Sequence, residues 1–117
     1  MHALLVLWDL SGSNTSFEEL RDYLWERSMP RFRQVEGLRQ KTWISNADTG
    51  KWGALYLFER RDQAEAVISH LDESPVVAMT GKKPTWQIFD VETIVEGKHE
   101  GTDLLSTGLV WASRQAV

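Results

Sequence analysis

One residue offers proton transfer near neutral pH. His70 sits in a stretch where Ala64, Val67, Ile68 and Leu71 recur at helical spacing. On a helical wheel it falls at the edge of that apolar face. An imidazole there can tip into a pocket beneath the helix and act as general acid or base, or it can stand half solvated and idle. His2 lies near a terminus and His99 in the tail. Three scattered histidines without an i, i+4 pair or a carboxylate motif make no metal site. Six tryptophans (Trp8, Trp25, Trp43, Trp52, Trp86, Trp111) supply large flat apolar surface, either for a core and a dimer interface or for the walls of a pocket that takes a planar ligand. Trp43 and Trp86 fall on expected sheet strands and Trp25 on the first expected helix, so these three are candidate walls. Phe58 shares a strand face with Tyr56 and joins them. Arg31 and Arg33, just past Pro30, can meet an anion at a pocket mouth, or simply favour a helix end through the macrodipole.

Other chemistries find no support. A net charge of −4 argues against nucleic acid, which needs a basic footprint. No run reaches the length of a membrane span, and the apolar start at Ala3–Leu7 lacks the features of a signal peptide. The chain has no cysteine, which excludes disulfides and thiolate chemistry and fits a cytoplasmic location. There is no nucleophile elbow, phosphate loop or Gly-x-Gly-x-x-Gly stretch, so ester hydrolysis and nucleotide roles are unsupported.

The positioning elements follow from periodicity. Ala3 to Leu10 reads as a strand that is apolar on both sides of its alternation. Ser16 and Glu19 form a capping box before Phe17, Leu20 and Leu24, opening a helix that runs to about Met29 or slightly beyond, with Pro30 kinking or ending it. After Gly37, Leu38 to Ser45 alternates as a strand. Asn46 to Gly50 is a hairpin loop, and Trp52 to Glu59 is the third strand. Asp62 and Glu65 suggest a second capping box for the Ala64–Leu71 helix. Ser74-Pro75 ends that helix, Pro75 to Met79 forms one more short turn, and Thr85 to Val95 is the last strand. Strand, helix, two strands, helix, strand is the order of a ferredoxin-like α+β sandwich: a four-stranded antiparallel sheet with two helices on one face. The bare face is also apolar, so a second sheet is wanted, and a 117-residue chain would obtain it from a second copy. Residues 1–96 thus form one domain. Residues 97–117, broken by glycines yet rich in leucine, read as an arm packing on the partner subunit or over a pocket mouth.

The chain resembles the dimeric α/β-barrel superfamily, and within it the YdhR-type monooxygenases. The resemblance is carried by Lys41-Thr42-Trp43, by Gly53-Ala54-Leu55-Tyr56-Leu57-Phe58, and by Phe89-Asp90-Val91. The helix ending His70-Leu71-Asp72-Glu73-Ser74-Pro75 is similar to that of antibiotic-biosynthesis monooxygenases. What the resemblance implies is a homodimer carrying out cofactor-independent oxygenation of a polycyclic or otherwise hydroxylated aromatic, which is itself the electron source for oxygen. Such a protein must hold the substrate dry, assist loss of its phenolic proton and stabilise the anion. Tyr56 would then hydrogen-bond a phenolate or quinone oxygen beside a catalytic His70, with Trp25, Trp43, Phe58, Trp86, Arg31 and Arg33 around the substrate. The superfamily also has non-catalytic and haem-binding members. A stress-related protein that sequesters an apolar ligand is therefore the alternative, and haem with His70 as axial ligand a third. Related quinone-forming and haem-degrading enzymes place an asparagine on the third strand and a tryptophan near its end. Here Tyr56 and Arg60 stand at the comparable positions, so the mechanism of those enzymes does not carry over.

Overall fold

Alternation along the first strand decides which side chains go inside. In β1 (His2–Asp9) Leu4, Val6 and Trp8 are buried, whereas Ala3, Leu5 and Leu7 on the opposite face are only partly covered. The computed structural model describes residues 1–101 and 103–115, leaving Thr102, Ala116 and Val117 of the expected arm outside the described residues. The other strands are β2 (Leu38–Asn46), β3 (Lys51–Phe58) and β4 (Thr85–Asp90). They form a four-stranded antiparallel sheet in the order β2-β3-β1-β4, the ferredoxin-like arrangement expected. The hairpin between β2 and β3 is held by Asn46, whose Oδ1 accepts from the backbone N–H groups of Asp48 and Thr49 at 3.0 and 3.2 Å.

All helices of the domain lie on one face. The first begins where Ser16 Oγ accepts from the Glu19 N–H at 3.1 Å, and runs as α1 (Phe17–Tyr23), a π turn (Leu24–Ser28) and α2 (Met29–Phe32). Pro30 neither ends nor sharply breaks it. Proline lacks an N–H and crowds the carbonyl one turn back, and the wider π turn just before it, with Met29 N–H reaching Leu24 C=O, absorbs that misfit. α3 (Arg61–Ser69) is capped two residues earlier than Asp62 suggested: Gln63 Oε1 accepts from the Arg60 N–H at 3.0 Å. The turn expected at Pro75 is a helix, α4 (Pro75–Thr80), with Ser74 Oγ at its N-terminus. β4 stops at Asp90, which pairs with His2, short of Val95; one more backbone bond follows, from the Val91 N–H to the Met1 C=O at 3.2 Å.

Leu4, Val6, Leu20 and Phe58 are fully buried between the layers, each contributing roughly 1.5–3 kcal/mol. On the helix-free face Leu55 and Phe89 are each 44% exposed, beside partly covered Leu5, Leu7, Ile44 and Leu57. The tail forms a short 3-10 turn (Leu104–Ser106) and α5 (Leu109–Gln115), which returns to its own first helix. There Trp111 meets Trp25 edge-on at 4.9 Å and Arg114 pairs with Asp22.

Candidate functional site

β2 is not a regular strand, and its irregularity builds the site. Leu38 pairs with Phe58, but Gln40 rather than Arg39 pairs with Leu57, leaving Arg39 as an extra residue. Such a bulge reverses the alternation beyond it. Leu38 therefore packs on the core, and so do Lys41 and Trp43, which stand opposite Tyr56 and Ala54. Gln40 and Thr42 turn to the bare face. Lys41 is thereby aimed between the sheet and the helices, where a cavity of about 280 Å³ lies. Phe32, Trp43 and Tyr56 form its aromatic wall, and Arg31, Glu36, Lys41 and His70 are its ionisable lining together with the phenols Tyr23 and Tyr56.

The Lys41 amine sits inside an aromatic cage. Its Nζ is 3.3 Å from the Phe32 ring centroid and 4.4 Å from those of both Trp43 and Tyr56. Phe32 in turn meets Trp43 at 6.0 Å and Tyr56 at 5.8 Å, both edge-on. Among the described residues no carboxylate forms an ion pair with the amine. Burial, reinforced by the positive charge of Arg31, lowers its pKa to about 6. Ring faces attract an ammonium by roughly 0.5–2 kcal/mol, but a displacement of that size corresponds to about 6 kcal/mol, so desolvation wins. Burial also pushes the Tyr56 hydroxyl well above its ordinary range, against a smaller pull from Arg31. Tyr56 therefore keeps its proton and acts as a donor.

The expected site residues divide into two groups. Tyr56, His70, Trp43 and Arg31 all line this cavity. His70 closes α3 at the cavity rim, with its side chain 68% exposed and Nδ1 3.3 Å from Glu73 Oε2. The others lie elsewhere. Phe58 is sealed in the core behind Tyr56, stacked at 5.9 Å. Trp25 is held by Trp111, and Trp86 is 52% exposed on edge strand β4. Arg33 faces a second groove, between β2 and the tail segment Leu104–Trp111, which shares Phe32, Lys41 and Trp43 with the cavity. Arg60 is exposed and bound to Asp62 at 3.0 Å. Lys41 was missed because strict alternation from Leu38 assigns it to the opposite face from that leucine. Its parity with Trp43 was the available signal. Among the described residues no group of three or more His, Asp or Glu is placed to hold a metal ion.

Comparison with known proteins places this geometry in context. The family model described as "Putative mono-oxygenase ydhR" matches residues 12–98. No curated protein matches the sequence closely enough to count as a relative. Among solved structures, SnoaB, described as a cofactor-independent oxygenase from Streptomyces nogalater, superposes with a TM-score of 0.58 at 11% identity, covering 82% of this chain and 97% of that one. A monooxygenase from the gene ActVA-Orf6 of Streptomyces coelicolor, in complex with nanaomycin D, gives 0.62 at 11% identity, covering 83% and 92%. A dimeric ferredoxin-like protein from an uncultured marine organism gives 0.50 at 16% identity, covering 80% and 96%. At these identities the shared property is the fold.

Proposed function

We propose that this chain, which belongs to the ydhR mono-oxygenase family, is a cofactor-independent monooxygenase acting on a hydroxylated aromatic small molecule in the Lys41–Tyr56 cavity. The observation that carries this reading is the cavity itself: aromatic walls with ionisable groups beside them, among them a tyrosine that keeps its proton. At about 280 Å³, and sharing Phe32, Lys41 and Trp43 with a groove of about 690 Å³, it has room for a substrate of two or more fused rings. The overall reaction balances without a cofactor. A phenol and dioxygen give a quinone and water, the phenol supplying the electrons. Tyr56 donates a hydrogen bond to the substrate oxygen as negative charge gathers there, while Phe32 and Trp43 hold the ring plane and exclude water. SnoaB, a cofactor-independent oxygenase, and the monooxygenase that binds nanaomycin D share this fold, which supports the reading.

The protein acts as a homodimer in this reading, the helix-free sheet faces packing on one another. Support comes from the apolar side chains on that face and from the dimeric ferredoxin-like neighbour. Light scattering at micromolar concentration checks it, and a stable monomer would refute it. The tail, whose leucines line the second groove beside Lys41, covers a mouth of the site. Among the described residues no helix is long and apolar enough to cross a membrane.

The test is oxygen uptake by metal-stripped protein against naphthols, hydroquinones and anthrols. Uptake with quinone formed in equal amount supports the reading. Silence across the panel would favour the second reading, a binding protein, which has its own motivation: neither Tyr56 nor the outward Arg60 reproduces the asparagine–tryptophan pair. Haem suits the geometry less well. His70, the expected axial ligand, stands at the exposed rim.

A further inference from the structure

We propose that the Lys41 amine is the base that takes the substrate's phenolic proton inside the Phe32–Trp43–Tyr56 cage, and that the ammonium so formed holds the phenolate for reaction with oxygen. The proposal rests on the phenolic-substrate reading above and gives it a proton acceptor. Geometry singles Lys41 out. It is the lysine that lines the cavity, its Nζ within 4.4 Å of all three ring centroids. The other ionisable lining groups are less suited. Arg31 is always charged and cannot accept a proton, Tyr23 and Tyr56 are phenols themselves, Glu36 is exposed, and His70 stands at the rim against Glu73.

An amine without a carboxylate partner in an apolar cage is poised for this exchange. Desolvation, which disfavours an isolated ammonium, ceases to do so once an anion is born beside it, and the low dielectric then strengthens the pair. In the step the phenol O–H bond breaks and an N–H bond forms on Nζ, with the electron pair remaining on the phenolate oxygen. Dioxygen then adds to the ring carbon, and the ammonium returns its proton to the distal oxygen, giving a carbon-bound hydroperoxide. That transfer leaves the amine neutral again, and loss of water across the carbon gives the quinone. Atoms and electrons balance with dioxygen as the oxidant.

The test uses 4-nitrophenol, whose phenolate absorbs at longer wavelength than the phenol. Below the ligand's own pKa, wild-type protein is expected to bind it with the phenolate band, and Lys41→Met to bind it without that band. Competitive acylation by acetic anhydride across pH provides a measurement on the unaltered protein. Lys41 is expected to show a midpoint well below the ordinary lysine range of about 10.4. With an oxidised substrate, Lys41→Met should lower kcat by about 100-fold or more and leave KM nearly unchanged. A phenolate band that survives in Lys41→Met, an ordinary acylation midpoint, or failure of wild type to bind nitrophenol would overturn the proposal. The two readings fail separately. No oxygen uptake with a Lys41-dependent phenolate band would refute the reaction and keep the proton acceptor. Uptake with undiminished kcat in Lys41→Met would keep the reaction and remove Lys41 from it.

Discussion

Replacing Lys41 by methionine should stabilise the protein, and by an amount that depends on pH. In the unfolded chain the amine holds its proton to about pH 10.5, whereas in the fold its pKa falls to about 6. Between those values the unfolded state binds more protons, so native stability rises with pH; below them both states are protonated and the whole penalty is present. At about 1.4 kcal/mol per pH unit the displacement corresponds to on the order of 6 kcal/mol. Attraction to the ring faces of Phe32, Trp43 and Tyr56 returns on the order of 2 kcal/mol, which moves the onset of the rise upward by about one to two pH units. The residue also retains some solvent access. Lys41→Met keeps the length and apolar stem of the side chain, and should therefore be more stable than wild type by up to about 4 kcal/mol at pH 6. Urea unfolding followed by tryptophan fluorescence at about pH 6, 7, 8 and 9 measures this directly. The gap between variant and wild type should narrow toward the alkaline end, approaching a slope of about 1.4 kcal/mol per pH unit. Parallel pH profiles, or a methionine variant less stable than wild type at pH 6, would refute the reasoning that places an unpaired amine in the interior.

Gly53→Ala should cost about 3 kcal/mol or more and lower the melting temperature by over about 10 °C, since an added Cβ would stand 2.0 Å from the Val6 carbonyl oxygen; a melt within a few degrees of wild type would contradict that close approach. Tyr56→Phe should reduce affinity for a phenolic ligand by about tenfold, the worth of one hydrogen bond, and unchanged binding in a fluorescence titration would remove Tyr56 from the site. His70→Ala should shift stability by less than about 0.5 kcal/mol and change oxygen uptake only a few-fold, because the imidazole stands exposed at the rim; a hundredfold loss would restore it as the principal base. Trp111→Ala should cost about 1–2 kcal/mol through loss of the edge-on contact with Trp25, read by urea denaturation.

The residues alone carried the order of the elements, because alternation and helical spacing report which side of a strand or helix is apolar. Ser16 and Asn46 were legible as cap and turn formers, since their hydrogen bonds reach only two or three residues along the chain. The resemblance in Lys41–Trp43 and Gly53–Phe58 carried the family. What it could not carry was anything that depends on a distant partner. β4 ends at Asp90, opposite His2 of β1, although Val91 to Val95 read as strand in the sequence. Gln63 caps α3 because the chain enters from β3 extended at Arg60. Trp25 leaves the expected pocket because a residue 86 positions later, Trp111, returns to cover it. Most consequentially, the extra residue at Arg39 turns Lys41 inward. A bulge is a property of the pair of strands, fixed when Leu38 and Trp43 are both drawn to one core, and that double demand exists only in the folded chain.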